Sequence, residues 1–264
     1  MPCSTSRAST RSTDEFKGKT AIVTGASRGI GAAAAVAFAR GGAARLVLQY
    51  NSYRKGVEET AAAVRAAGAA EVTLIEANLA SEAGIQALIA AASNVPADIL
   101  VNNAGSLVKR ARIEEFTPAL WDEVMNLNVK SAYFLTQAVA RGMIARGGGA
   151  VVNLSSIAAR NGGAVGGAVY AASKAAVLTL TKGLAKELAP CGIRVNAVSP
   201  GAVDNHFHEQ FSTREVLDGI IAATPDGRLA TNEDIAGAIV FLCSRAASHI
   251  HGQAIEINGG ILAP

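Results

Sequence analysis

The chain has 264 residues, half of them hydrophobic and 17% charged. That is enough to bury one large α/β core, and too apolar for a chain that stays disordered. The formal net charge of +3, without a Lys/Arg block, argues against a nucleic-acid partner. No apolar run is long enough to cross a bilayer, and Cys3, Cys191 and Cys243 have neither CxxC spacing nor His partners, so neither a metal site nor a disulfide framework is expected. A reducing, cytoplasmic compartment is the corresponding expectation.

Residues 1–13 are rich in Ser, Thr and Arg and contain no acid and no apolar core. They read as a disordered tail over 1–15 in front of a single domain over 16–264. Residues 20–24 (TAIVT) have the apolar character and length of a buried strand, and the Ala-rich run 30–40 has the length of a helix. A second strand follows at 45–50 (RLVLQY) and a second helix at 55–67. A third strand is expected at 71–76, a helix at 81–92 and a fourth strand at 98–101 (DILV). This βαβαβαβ order implies a parallel sheet with helices on both faces. A long helix is expected over 118–146, a strand at 150–154 and a helix at 169–188. Strands at 194–198 and 254–257 complete the series, with a less regular stretch at 204–226 and a helix near 233–244 between them. Right-handed crossovers wind such a chain into one α/β domain, a doubly wound, Rossmann-like three-layer sandwich.

Between the first strand and the first helix lies Thr24-Gly25-Ala26-Ser27-Arg28-Gly29-Ile30-Gly31. Glycines there permit a tight turn and close approach of backbone to a pyrophosphate, and the helix that follows offers free N–H groups to the anion. NAD is recognised through a carboxylate at the end of the second strand, which binds the ribose 2′-hydroxyl. Here that place holds Gln49, Tyr50, Asn51 and Ser52, and no acid occurs until Glu58. Arg28 sits inside the glycine loop, and Arg54 and Lys55 follow the strand. Cations suit a 2′-phosphate, so the cofactor expected is NADP(H). Arg54 and Lys55 read equally well as solvated surface charges.

Four further motifs stand in order behind the glycine loop: Asn102-Asn103-Ala104-Gly105, Tyr170-Ala171-Ala172-Ser173-Lys174, Asn196-Ala197-Val198-Ser199-Pro200-Gly201 and Asn258-Gly259-Gly260. Together they resemble the short-chain dehydrogenase/reductase family, in particular its 3-oxoacyl-carrier-protein reductase-like members, over about residues 16–262. The resemblance implies a catalytic tetrad of Asn128, Ser156, Tyr170 and Lys174. Tyr170 and Lys174 are four residues apart on a predicted helix and share a face. An ammonium beside a tyrosine lowers its pKa from about 10 and prepares it for proton transfer. Lys174 would also bond the nicotinamide ribose, Ser156 would bond the substrate oxygen, and Asn128 would hold a water leading to solvent. Asn126 and Ser155 compete with Asn128 and Ser156 for these places.

For the cofactor, the resemblance adds Asn103, Ala104 and Gly105 after the fourth strand, and Pro200, Gly201 and Val203 after the sixth. Two positions depart from the family pattern: Asn78, beside Leu79, replaces an Asp expected near the adenine, and Asn205 replaces a Thr expected at the carboxamide. The reaction implied is hydride transfer between NADP(H) and a carbonyl or secondary alcohol of a small molecule. A ketone (3-oxoacyl-type) reductase is the first reading. A sugar or sugar-acid dehydrogenase is the alternative, to which His206, His208 and Asp204 in the expected substrate lid lend weight. A catalytically idle NADP(H)-binding regulator is the reading from another class. His206 and His208 read as substrate contacts or as exposed loop residues. The family also implies a homotetramer or homodimer built on the helices over 121–144 and 169–188.

Overall fold

The computed structural model describes residues 14–263, so the tail expected over 1–13 lies outside the described residues. Glu15, expected from sequence to belong to that tail, is tied to the body: its carboxylate accepts from the Arg245 backbone N–H at 2.7 Å. Phe16 beside it is buried, edge-on to Phe38 at 5.2 Å between centroids.

The first half of the chain is β1 (Thr20–Val23), α1 (Gly29–Arg40), β2 (Arg45–Tyr50), α2 (Arg54–Ala66), β3 (Glu71–Glu76), α3 (Glu82–Ala92) and β4 (Ile99–Asn102). The second is α4 (Pro118–Met125), α5 (Ser131–Ala145), β5 (Gly149–Leu154), α6 (Ala158–Asn161), α7 (Ala168–Leu188), β6 (Ile193–Pro200), α8 (His206–Phe211), α9 (Arg214–Ala223), α10 (Asn232–Cys243) and β7 (Ala254–Ile257). The seven strands form one parallel sheet in the order β3-β2-β1-β4-β5-β6-β7. Strand residues alternate between its two faces. Val23, Leu46, Leu48 and Val101 pack with α1, α2 and α10, while Ile22, Val47, Leu100 and Val151 pack with α3, α5 and α7. Both faces are covered, which is why the central strands are continuous apolar runs. Cys243 is buried in the first layer, where desolvation pushes its thiol up to about 12; Cys191 is half-buried against the second. The Cys243 thiol is therefore not ionised near neutral pH, in keeping with a packing role.

Two departures from the expected elements matter for function. The helix expected over 118–146 is interrupted by a π-helical turn at Asn126–Lys130, which joins α4 to α5. Such a single turn adds a residue to the helix and rotates the segment beyond it. The stretch expected to be irregular over 204–226 carries α8 and α9, each opened by a side-chain cap: Asn205 accepts from the Phe207 N–H at 3.1 Å and Thr213 from the Val216 N–H at 3.4 Å.

Candidate active site

The chain runs outward from β1 to β2 and β3, then returns to β4 on the other side of β1. A crevice opens at this reversal of strand order, beyond the carboxyl ends of the strands, where open α/β sheets bind their ligands. The cleft there measures about 840 Å³.

Its first wall is the glycine loop. Gly25 and Gly29 have φ of +64° and +61°, conformations that side-chain-bearing residues rarely adopt. A Cβ on Gly25 would lie 2.9 Å from Asn103 Nδ2, and one on Gly31 would lie 2.4 Å from the Gly25 carbonyl oxygen. Asn103 braces the turn by donating to the carbonyls of Thr24 (2.8 Å) and Gly25 (3.1 Å), while Thr24 Oγ1 accepts from the N–H groups of Asn103 and Ala104. Gln49 supplies a brace that the sequence did not announce. It is buried, accepts from the Gly25 N–H at 2.9 Å and donates to the Ala77 carbonyl at 2.8 Å. A polar residue inside an apolar strand is the one signal of it, since buried amides need partners. Helix α1 then begins with no side-chain cap and no acid in its first turn, so its N–H groups and positive dipole end face the cleft.

Gly25, Arg28, Gly29, Ile30, Asn103, Ala104 and Gly105 line the cleft from this side, and Pro200, Gly201, Val203 and Asn205 close it from the other. Gly31 and Ser27 belong to the loop but do not line the cleft. Tyr50, Asn51, Ser52, Asn78 and Leu79 do not line the cleft; they stand at the ends of β2 and β3 beyond its rim. The Tyr50 hydroxyl donates to Glu76 at 2.9 Å, Asn78 Oδ1 accepts from the Ala80 N–H at 3.0 Å, and Leu79 is buried. Arg54 and Lys55 are exposed and pair on their own helix with Glu58 (2.9 Å) and Glu59 (3.9 Å). Asn205, besides capping α8, donates to Asn232 at 3.1 Å, so its amide is already engaged.

At the floor, Tyr170, Lys174 and Ser156 come together. Lys174 is buried, donates to the Leu154 carbonyl at 2.8 Å and has no carboxylate partner among the described residues; burial pulls its ammonium down to about 8. Tyr170 is pushed up to about 12 by burial, against the opposing pull of a hydrogen bond with Ser156. The expectation that Lys174 lowers the tyrosine pKa is therefore not met. The ammonium is 5.7 Å from the ring centroid, and burial dominates the shift. Ser156, not Ser155, faces Tyr170: Ser155 donates to the Lys174 carbonyl at 2.9 Å, while Ser156 accepts from the Ala158 N–H at 3.2 Å.

Asn128 sits in the π-helical turn, buried, with its amide donating to the Ser106 and Val124 carbonyls (both 2.9 Å) and accepting from the Ser106 N–H at 3.1 Å. It clamps the strand-end loop and does not line the cleft. Gly105 lies between Asn128 and Lys174, and a Cβ there would be 2.7 Å from each. Asn126 is turned away to the Ala80 carbonyl.

The lid helix α8 lies over this floor. Phe207 packs on Tyr170 at 5.8 Å between centroids and on Phe211 at 5.1 Å. Arg110, which no sequence motif marks, lines the cleft and latches the lid by donating to the Val165 carbonyl (2.7 Å) and the Phe211 carbonyl (2.9 Å). His208 also lines the cleft, half-buried, with Nδ1 3.0 Å from Ser212 Oγ. Burial and the nearby Arg110 cation hold it below the usual imidazole value, with Asp204 pulling the other way, so it is neutral at pH 7. His206 is exposed and paired with Glu209 at 3.2 Å.

A glycine cradle at the switch point of a doubly wound sheet, with Tyr170, Ser156 and the buried Lys174 grouped on the floor, is the arrangement of a nucleotide-binding fold with side chains able to pass a proton. A family model described as enoyl-(acyl carrier protein) reductase matches residues 25–262. Gluconate 5-dehydrogenase of Gluconobacter oxydans is 38% identical over 93% of this chain and 95% of its own length. The 3-oxoacyl-[acyl-carrier-protein] reductase of Aquifex aeolicus is 36% identical over 94% and 98%. A crystal structure from Beutenbergia cavernae, provisionally assigned as an NAD(P)-dependent gluconate 5-dehydrogenase and holding NADP at low occupancy, superposes with a TM-score of 0.87. It is 38% identical over 95% of this chain and 99% of that one. The chain belongs to the short-chain dehydrogenase/reductase family, and is an oxidoreductase of the alcohol–carbonyl pair. Among the described residues no helix is long and apolar enough to cross a membrane.

Proposed function

We propose that the protein interconverts a secondary alcohol and a ketone on a sugar acid, using NADP(H). This is the alternative reading of the sequence, preferred over the 3-oxoacyl reductase on one observation above all. Beyond Tyr170, the cleft is lined by the Arg110 cation and the His208 imidazole. Arg110 spends one bond on each of two carbonyls and keeps N–H donors for an anionic group. His208 is suited to exchange hydrogen bonds with hydroxyls. The gluconate 5-dehydrogenases among its relatives act on such a molecule by name.

The cofactor fits the residues present. The glycines leave room for a pyrophosphate at the uncapped end of α1. Arg28, which has no ion pair among the described residues, offers its guanidinium to a 2′-phosphate. Bound NADP(H) supplies or accepts the hydride at the carbonyl carbon. The chain does the rest. In the reductive direction Tyr170, which burial keeps protonated near neutral pH, gives its proton to the carbonyl oxygen. Ser156 hydrogen-bonds the same oxygen and stabilises the charge that develops there. Lys174 keeps ammonium donors beyond the one bound to Leu154, for the ribose of the cofactor. Phe207 shields the reacting atoms from water. Asn128 serves by fixing the loop that carries Gly105 and Ser106.

The test is a substrate panel. Keto-aldonates are expected to exceed neutral ketoses of the same length in kcat/KM by at least about 10-fold, the value of one charge-assisted hydrogen bond. They should also outrun 3-oxoacyl thioesters. Faster turnover of the thioesters would return the assignment to the ketone reductase reading, which the Aquifex aeolicus relative and the apolar Val216 and Ile220 in the cleft lining favour. Half-exposed Trp121 and Ile144, on α4 and α5, also fit a homodimer or homotetramer. Light scattering is expected to give a mass above the 26.8 kDa of one chain, and a monomer would contradict it.

A further inference from the structure

The Arg28 guanidinium lies over the face of Tyr53, 4.2 Å from the ring centroid. Tyr53 belongs to none of the sequence motifs, and it is not part of the cleft lining. It is the N-cap residue of α2, and its ring has a built seat. A Cβ on Gly56 would lie 2.2 Å from Tyr53 Cε1 and 2.4 Å from the Ser27 carbonyl oxygen, so only glycine lets the first turn of α2 meet both the ring and the glycine loop. The other cations at this rim are spent on Glu58 and Glu59. Arg28 has no ion pair and no side-chain hydrogen bond among the described residues, and Tyr53 is its one side-chain partner there.

We infer that Tyr53 is a positioning residue that holds Arg28 ready for the 2′-phosphate. The inference rests on the NADP(H) reading and deepens it. A free arginine at an exposed loop loses several torsions when it grips a phosphate. A guanidinium held over an aromatic face has lost part of that freedom already, and a contact made through the ring leaves its N–H donors for phosphate oxygens. The selectivity for a 2′-phosphate therefore has two sources, the charge of Arg28 and the platform beneath it. The second is a property of Tyr53, which is not part of the pyrophosphate cradle.

The experiment is titration calorimetry on the full chain with 2′,5′-ADP and 5′-AMP, two probes that differ only in the 2′-phosphate and involve no turnover. The wild-type protein is expected to prefer 2′,5′-ADP. Tyr53→Leu should lower that preference roughly two- to five-fold, the value of one exposed cation–π contact, with 5′-AMP affinity moved less than about two-fold. Tyr53→Phe keeps the ring face and should retain the wild-type preference. Wild-type selectivity in Tyr53→Leu would overturn the inference, and so would equal losses for both probes, which would mark a structural role. A loss in Tyr53→Phe as large as in Tyr53→Leu would also overturn it, by assigning the effect to the hydroxyl. If Arg28→Ala loses the preference while Tyr53→Leu keeps it, the NADP(H) reading stands and this inference alone fails. A wild-type protein indifferent to the 2′-phosphate would remove both.

Discussion

Tyr170→Phe is expected to lower kcat for carbonyl reduction by at least ~10²-fold, the lower end for loss of one acid–base group, with NADPH affinity nearly intact. The substitution removes one hydroxyl and leaves the ring, which still packs against Phe207. What disappears is a proton donor held beside Ser156 and kept protonated by burial, to about 12. The pH dependence comes from the other buried group. Lys174, pulled down to about 8, is charged below that pH and neutral above it. The kcat/KM for reduction should therefore be sustained at lower pH and fall as pH rises through about 8, well before Tyr170 itself titrates. Near-normal turnover in Tyr170→Phe would rule out this tyrosine as the donor, and a flat profile from about pH 6 to about pH 10 would remove Lys174 from the account.

Arg28→Ala is expected to erase most of a preference of roughly 10- to 150-fold for NADPH over NADH in kcat/KM. That range is what one guanidinium–phosphate hydrogen bond of about 1.5–3 kcal/mol provides. The loss should appear as a raised KM for NADPH with NADH kinetics little changed, because the 2′-phosphate alone distinguishes the two. Arg54 and Lys55 are bound to Glu58 and Glu59, so a single substitution should suffice where free charges at those positions would have left a remainder. A variant that retains the preference, or a wild-type enzyme that works as well with NADH, would move 2′-recognition elsewhere on the rim of β2.

The sheet was legible because strands buried on both faces read as unbroken apolar runs, and the Ala- and Gly-rich helices between them have helical length. The motifs carried the floor of the cleft: Tyr170 and Lys174 meet because a helix puts residues four apart on one face. The lid's place after the sixth strand was legible, but its two helices were not. Helix α8 spans less than two turns and buries no residue, so no core-facing stripe announces it, while α9 has apolar residues at helical spacing (Val216, Leu217, Ile220, Ile221) yet none of them is fully buried. Its readable signals were the caps Asn205 and Thr213. The π-helical turn was equally hidden, since one extra residue in a continuous helix leaves no mark on composition. Gln49, Tyr53, Arg110 and Phe207 act through partners far away in sequence or through stacking. A chain read residue by residue shows that each is polar or aromatic and does not show what it faces.

The proposed reaction is hydride exchange between NADP(H) and a sugar-acid carbonyl, with the proton coming from Tyr170. It is tested most directly by incubating the enzyme with a keto-aldonate and NADPH deuterated at its transferable position, then locating the label by NMR. One deuterium is expected on the new carbinol carbon of the aldonate, in step with NADPH consumed, and almost none with Tyr170→Phe under the same conditions. NADPH consumption without label on that carbon, or undiminished labelling by Tyr170→Phe, would contradict it.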